Sequence, residues 1–173
     1  MMLTKDEFGE HMLSWQVSAW RWECQGEYRE PSEAAPFRRF LAGQADLAWF
    51  QGWMARVRRW TEAGQTIHRV RMLTDPLTDY LRFELSITPH AIDAGEDIRF
   101  LSSAQAAALS APTEDFWLLD NDKVLALRFG EHGVSGAELI TDPDRVGDYR
   151  AWRDIATAAA VPYLDLPRRH EGV

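Results

Sequence analysis

The sequence predicts an α/β or α+β domain in which a mixed central sheet is flanked by helices. Helical and strand-like segments alternate as far as residue 109, and three strand-like segments then follow one another before a last helix. The 173 residues suit one domain, and no internal repeat, low-complexity block or linker divides them. We therefore expect a single globular domain over residues 1–173.

The first predicted elements are a helix and a strand. Thr4 and Glu7 have the spacing of a capping box, so a short helix is expected over residues 5–13. In the segment SAWRWEC, Trp20 and Trp22 alternate with small and charged residues. This period of two predicts a strand, because successive side chains of a strand point to opposite faces.

Two further helices are expected next. A Pro-Ser pair opens the first, over residues 31–43, and a glycine ends it. Over residues 46–64 apolar side chains recur at a spacing near 3.6, and Trp49 and Trp53 widen this stripe. Such a stripe usually packs in the core, but these two indoles are also the candidates for binding a protein partner.

Two strands and two helices follow in alternation. Residues 66–73 predict a buried strand that ends at a Thr-Asp-Pro sequence, and residues 77–86 have helical spacing. Residues 97–101 predict another strand, entered through an Ala-Gly turn. Residues 103–109 are rich in alanine and predict a short helix.

The last third of the chain predicts an antiparallel run of strands and a closing helix. The segments DFWLLD and VLALRF are joined by Asn121 and Asp122, a favourable pair for a tight turn. Residues 134–140 continue the run. Asp142 and Pro143 then have the types preferred at the N-cap and first position of a helix.

Composition limits the function classes. A net charge of -8 and a pI near 5.1 argue against a broad basic surface, so direct binding of nucleic acid is not expected. The lone Cys24 excludes an internal disulfide and a cysteine-built zinc site. No charged-then-apolar leader and no apolar run of roughly 20 residues is present. A cytoplasmic protein without membrane contact is expected.

Charged side chains within apolar runs are the strongest functional signal. Arg69 and Arg71 lie two apart on a predicted strand and therefore share a face. Two guanidiniums in a buried sheet need carboxylates or a bound anion, because an unpaired buried charge is costly. They form either an internal network with Glu84, Glu96 or Asp97, or a site for a ligand carboxylate or phosphate.

Two more groups complete the predicted ligand site. Tyr80 and Glu84 are four apart on a predicted helix, where they either line a polar pocket or pair with the sheet. Asp115, Trp117 and Asp120 fall near a strand end, where α/β sheets often keep ligand crevices. The alternative for this second group is a buried Trp flanked by two turn-forming aspartates.

Catalytic and metal-binding signatures are absent from the sequence. The five histidines lack metal-ligand spacing, and no Gly-rich phosphate cradle occurs. Glu96, the candidate acid, has no recognisable nucleophile beside it. No catalytic residue, metal site or cofactor is therefore predicted, and enzyme activity has no support at this level.

Three ordered motifs carry a family resemblance: GQTIHRVRMLTDPLTDYLRFEL, AGEDIR and DFWLLDNDKV. They resemble the actinobacterial domain-of-unknown-function family 6879, whose members often sit beside helix-turn-helix regulators. The segments SAWRWECQGEY and TDPDRV extend this resemblance over most of the chain. It implies a helix-turn-helix regulator as a partner and carries no assigned chemistry.

The order of elements also resembles one half of a phospholipase-D-like domain. Active members of that fold place His-x-Lys before the aspartate, because His attacks phosphorus and Lys holds phosphate charge. In this sequence Asp115, Phe116 and Trp117 occupy that approach and Asp120 follows. The resemblance therefore implies a version without that activity.

These observations predict a non-catalytic regulatory or binding module that recognises a small anionic ligand or a protein partner. One alternative is a diverged phospholipase-D-like hydrolase or phosphotransfer enzyme. Another is a structural interaction protein that forms a homodimer through exposed Trp or sheet-edge residues.

Overall fold

Eight strands form one mixed sheet in the computed structural model, which describes residues 1–167. Their order across the sheet is β1-β7-β6-β5-β2-β3-β4-β8. Strand β2 pairs in parallel with β3, and β3 with β4, while the other neighbours are antiparallel. The strands are β1 (Met2–Thr4), β2 (Ser18–Glu23), β3 (Thr66–Leu73), β4 (Asp97–Ser102), β5 (Phe116–Leu119), β6 (Lys123–Gly130), β7 (Gly133–Ile140) and β8 (Val161–Pro162).

Helices cover both faces of this sheet, because alternate strand residues are apolar on each side. Helices α1, α3 and α4 pack on one face and α5 and α6 on the other, while aromatic residues of α2 pack against α4. The helices are α1 (Lys5–Ser14), α2 (Pro31–Leu41), α3 (Gln51–Glu62), α4 (Asp79–Ala94), α5 (Ser103–Ala108) and α6 (Pro143–Ala159).

The face under α1, α3 and α4 carries charges as well as apolar residues, and strand register explains why. In the parallel pair β2–β3, Arg21 lies opposite Arg69 and Glu23 opposite Arg71. In the antiparallel pair β2–β5, Arg21 lies opposite Trp117. Cross-strand partners point to the same side, so all of these side chains project toward the same group of helices.

The predicted mixed sheet flanked by helices is confirmed, and so is the capping box of Thr4 and Glu7 at the start of α1. Two short edge strands, β1 and β8, were not predicted. Each has only two or three residues, too few to show a period of two.

Helix α4 runs well beyond the expected residues 77–86, to Ala94, although Pro89 lies inside it. Proline removes one helical hydrogen bond. Ile87, Ala91 and Ala94 are nevertheless buried against the sheet, and this packing offsets the loss. Gly95 then ends the helix at φ 119°, a left-handed conformation that favours glycine.

Candidate functional site

A chain of ion pairs runs across the sheet face under α3 and α4, and Glu23 is at its centre. Oε2 of Glu23 accepts from Nε of Arg71 at 2.5 Å, and Oε1 accepts from Nη1 of Arg69. Nε of Arg21 lies 3.5 Å from Oε1 of Glu23. One buried carboxylate therefore serves three guanidiniums from two adjacent strands.

Each arginine of β3 also holds a second carboxylate. Nε of Arg69 donates to Oε1 of Glu96 at 2.8 Å, and Nη2 of Arg71 lies 2.7 Å from Oε2 of Glu84. Glu84 projects from α4, and Glu96 lies in the turn between α4 and β4. The charges of Arg69 and Arg71 are thus compensated within the protein.

Electrostatics keeps Glu23 and its two arginine partners on β3 ionised. Burial opposes the charge of Glu23, but Arg69, Arg71 and Arg21 outweigh it and hold the pKa of Glu23 well below its usual range. Burial likewise disfavours the charged form of the two β3 arginines. Their carboxylate neighbours more than compensate, and the pKa values of Arg69 and Arg71 are raised.

Asp115 anchors the end of the network that lies away from α4. Its Oδ2 accepts from Nη2 of Arg21 at 2.8 Å and from the hydroxyl of Tyr28 at 2.6 Å. Its Oδ1 accepts from the backbone N–H of Cys24 at 3.2 Å and from the Cys24 thiol at 3.0 Å. Burial and the nearby Asp115 charge raise the pKa of the Cys24 thiol, which makes it a poor nucleophile.

A cavity of about 600 Å³ lies above this network, between the sheet and helices α1, α3 and α4. Its walls are largely aromatic and aliphatic, while its floor carries Arg21, Glu23, Arg69, Arg71 and Glu84. The volume is within the usual range of small-molecule sites. The main apolar wall residues are Phe8, Met12, Trp49, Trp53, Trp60 and Trp117.

Two indole rings flank the guanidinium of Arg69 at the cavity floor. Its guanidinium carbon lies 5.8 Å from the ring centre of Trp53 and 5.7 Å from that of Trp117. The indole Nε1 of Trp53 also donates to Oε2 of Glu96 at 3.0 Å, the carboxylate that Arg69 binds through Oε1. Trp53, Arg69 and Glu96 thus form one hydrogen-bonded unit.

Two polar atoms of the cavity floor have no hydrogen-bond partner among residues 1–167: Nη1 of Arg21 and Oε1 of Glu84. Both residues are only 5% exposed. Buried polar groups are normally bonded, because leaving one unpaired costs roughly 1–3 kcal/mol. Both atoms have almost no solvent-accessible surface, so they lie within the floor and do not face the open space of the cavity.

Glu33 on α2 contributes a further carboxyl group to the cavity wall. The hydroxyl of Tyr80 donates to its Oε2 at 2.7 Å. Burial raises the pKa of Glu33 to about 8, and the charge of Glu84 adds to this rise. Glu33 is therefore mostly protonated at neutral pH.

A family model matches residues 6–166, and it describes a domain of unknown function named DUF6879. This range contains the network and all of the residues that line the cavity. The chain belongs to the DUF6879 family. A comparison with curated proteins found no match.

The DUF6879 domain brings together most of the residues that the sequence singled out. Arg69, Arg71 and Glu84 form the floor of the cavity and Trp117 part of its wall, while Tyr80 and Asp115 bond to its lining residues. Glu96 was expected as a partner of the arginines and is one.

Four residues of the site, Arg21, Glu23, Tyr28 and Glu33, were not predicted from the sequence. The alternation in SAWRWEC places Arg21 and Glu23 on one face, and only strand pairing shows that they face Arg69 and Arg71.

Asp97 and Asp120 lie outside this site in the DUF6879 domain. Asp97 points to the opposite face of the sheet from Arg69 and Arg71. On that face it pairs with His68 of β3 and Arg99 of β4. It was wrongly expected among the arginine partners, because residues 96 and 97 point in opposite directions. Asp120 begins the β5–β6 turn at φ 52° and accepts backbone N–H bonds from residues 16–18.

The two indoles predicted to bind a protein partner lie at the cavity. Trp53 is half-buried and bonded to Glu96, as described above. Trp49 is also half-buried and stacks on Phe83 of α4, with ring centres 5.4 Å apart. Both rings therefore contribute to the interior wall of the DUF6879 domain.

Residues 1–167 contain neither a membrane-spanning helix nor a cluster of metal-binding side chains. No helix in that range has the length and apolar character needed to cross a membrane. No group of three or more His, Cys, Asp or Glu side chains there is arranged to hold a metal ion.

Proposed function

We propose that this DUF6879 domain is a non-catalytic binding module that takes a small organic molecule into the cavity between the sheet and helices α1, α3 and α4. The observation that carries this proposal is an aromatic-walled space of about 600 Å³ above a polar floor of paired arginine and glutamate side chains. Ligand sites commonly combine mainly apolar walls with a few convergent polar groups.

For the arginine pair, this proposal follows the internal-network alternative from the sequence and not the anion-site alternative. Each guanidinium already holds carboxylates, so the network acts as a fixed polar floor beneath an apolar ligand body. An anion that bound Arg69 or Arg71 would have to displace Glu23, Glu84 or Glu96 from its arginine. Leaving a displaced carboxylate buried and unpaired would cost several kcal/mol.

The hydrolase alternative has less support. Among residues 1–167, Glu96 is bonded to Trp53 and Arg69, and Asp120 to backbone N–H groups, so neither has a histidine as partner. The carboxylate of Asp115 already accepts hydrogen bonds from Arg21, Tyr28 and Cys24.

A regulatory role beside a helix-turn-helix partner stays a prediction from the family resemblance.

The test is a titration with neutral aromatic fragments, 2-phenylethanol among them, followed by tryptophan fluorescence. Trp49, Trp53, Trp60 and Trp117 line the cavity, so an occupant should change their emission. Saturable binding in the micromolar to low millimolar range supports the proposal. No saturable change with any fragment contradicts it.

A matched pair of glycine substitutions tests where the fragment binds. A side chain at Gly9 on α1, which lines the cavity beside Met12, would meet no atom within 4 Å of its Cβ. Gly52 on α3 is equally unobstructed but exposed and outside the cavity wall. Gly9→Phe should weaken fragment binding at least fivefold, whereas Gly52→Phe should leave it unchanged. Equal effects of the two substitutions would place the fragment elsewhere.

A further inference from the structure

We infer that the cavity selects an uncharged ligand over both the cation and the anion of nearly the same shape. This inference rests on the proposed function and names the ligand class of the same site. Three observations carry it: the charges that line the cavity balance, the arginines of its floor are already bound by carboxylates, and its indoles already face arginines.

The first observation is the balance of charges along the cavity lining. Among residues 1–167, four arginines and five glutamates line the space. Glu33 holds its proton at neutral pH, because burial and the charge of Glu84 raise the pKa of its carboxyl to about 8. Four positive and four negative charges remain, so the described lining has no net charge for a ligand ion to neutralise. They belong to Arg21, Arg56, Arg69 and Arg71, and to Glu23, Glu30, Glu84 and Glu96.

The second observation is the pairing of charges within the floor. Nη2 of Arg71 lies 2.7 Å from Oε2 of Glu84, and Nε of Arg69 lies 2.8 Å from Oε1 of Glu96. The two atoms that lack partners, Nη1 of Arg21 and Oε1 of Glu84, lie within the floor and cannot bond a ligand ion. A ligand ion would have to separate a buried pair or remain without a counter-charge, and both are costly where water screens charge poorly. An uncharged ligand leaves every pair intact.

The third observation concerns the aromatic side chains that could otherwise attract a cation. Three indoles of the described lining have an arginine guanidinium at 6.0 Å or less from the ring centre. Aromatic rings attract cations through their faces, and the protein's own arginines already use that attraction. They would also repel a ligand cation that came as close. The contacts are Trp53 with Arg69, Trp60 with Arg56, and Trp117 with both Arg21 and Arg69.

Arg56 on α3 is the place where an anion would bind if the inference were wrong. Its guanidinium has no carboxylate partner among the described residues, and its side chain is exposed at the cavity. Water screens this charge, so an ion pair with a ligand carboxylate there would contribute little. Arg56→Gln would remove whatever affinity an anion gained from it.

The experiment compares two pairs of probes that differ mainly in charge: 2-phenylethanol with phenethylamine, and 3-phenylpropionamide with 3-phenylpropionate. At pH 7 the amine is a cation and the carboxylate an anion. Tryptophan fluorescence and calorimetry give each dissociation constant. The uncharged member of each pair should bind at least fivefold more tightly than its ionic partner. This order needs no variant, so it holds as a test even where a substitution unfolds the protein.

Two double variants test the physical reason for this order. Glu33→Gln with Glu84→Gln removes one negative charge beside Arg71, and Glu33→Gln keeps residue 33 from ionising in its place. Glu33→Gln with Asp97→Asn removes one negative charge from the opposite sheet face. On folded protein, the first double variant should bind 3-phenylpropionate, relative to 3-phenylpropionamide, at least threefold better than the second does.

Four outcomes decide the matter. An advantage of less than fivefold for the uncharged member of either pair overturns the inference while the binding module stands. If 3-phenylpropionate is the ion that binds and Arg56→Gln removes its binding, the cavity is an anion site at its rim. Equal ratios in the two double variants also overturn the inference, because charge balance would then not cause the selection. Failure of all four probes to bind overturns the proposed function as well.

Discussion

Glu23 of β2 and Arg71 of β3 lie opposite each other in adjacent parallel strands and are joined by a 2.5 Å hydrogen bond. This pair links the two strands through their side chains as well as their backbones. It also decides how the cavity floor is held, because Arg71 then reaches Glu84 on α4 and ties that helix to the sheet.

Replacing Glu23 should therefore be costly. Glu23→Gln keeps the shape of the side chain but removes the charge that serves Arg21, Arg69 and Arg71. Breaking a buried ion pair by removing one partner costs roughly 3–5 kcal/mol of unfolding free energy. Urea unfolding measures this loss.

Asp97→Asn is the control for that measurement. It removes a carboxylate from a half-exposed pair with His68 and Arg99, so it should cost less than about 1 kcal/mol. Equal losses for Glu23→Gln and Asp97→Asn would mean that the central network contributes no more than surface pairs do.

The sequence contained enough information for the fold class and for part of this network. The period of two in SAWRWEC and the positions of Arg69 and Arg71 fixed which residues share a strand face. Which strands lie next to each other was not predictable. Strand β2 pairs with β5, for example, although the two are almost 100 residues apart in the chain. Glu23 therefore could not be assigned as the common partner of the arginines.

The cavity itself was beyond sequence reasoning for a related reason. The spacing of Trp49, Trp53 and Trp60 indicates an apolar helix face, and that face is usually filled by packing. Whether a space remains depends on how far α1 and α3 stand from the sheet. Glu33 was missed because its region carries no charge pattern that distinguishes a buried carboxyl group from a surface one.

Stability should fall as pH rises through the neutral range, because of Glu33. Its carboxyl faces Tyr80 and Glu84 of α4, Glu23 of β2 and Arg71 of β3, and its pKa is raised from 4.5 to about 8. The folded state therefore holds a proton that the unfolded state releases above pH 4.5. The stabilisation from Glu33 is complete below about pH 4.5 and is lost as pH rises to about 8.

Glu33→Gln tests this directly, since a glutamine imitates the protonated acid and its carbonyl can still accept from Tyr80. The unfolding free energy of the wild type should decrease between pH 5.5 and 8.5 by more than that of Glu33→Gln. Glu62→Gln, at the exposed end of α3, should keep the wild-type slope. Parallel pH profiles for wild type and Glu33→Gln would refute the prediction.

Asp120 should matter for stability and not for ligand binding. Its carboxylate accepts from the backbone N–H groups of Gln16, Val17 and Ser18. Partial burial opposes its charge, but these N–H bonds lower its pKa overall. Asp120→Ala should cost about 1–3 kcal/mol, because three N–H groups lose their acceptor.

Asp120→Asn is the conservative comparison, because asparagine tolerates the left-handed φ of 52° and retains one acceptor oxygen. It should lose less stability than Asp120→Ala. The affinity for 2-phenylethanol, measured on folded protein, should be the same in both variants as in the wild type. A loss of binding without a loss of stability would return Asp120 to the ligand site.

Gly136 of β7 should not tolerate a side chain, because the backbone of the neighbouring strand β1 lies too close to it. A Cβ at this position would lie 2.3 Å from the backbone carbonyl oxygen of Leu3, which is too close for any contact. Gly136→Ala should therefore push β1 away from β7 and cost about 1–3 kcal/mol. Since β1 leads directly into α1, whose Phe8 and Met12 line the cavity, binding of 2-phenylethanol should weaken too.

Gly130→Ala on β6 is the control, as its Cβ would meet only the Ser135 side chain at an ordinary 3.5 Å. Hydrogen exchange should show faster exchange of the β1 and β7 amides in Gly136→Ala alone; unchanged exchange there would contradict the predicted collision.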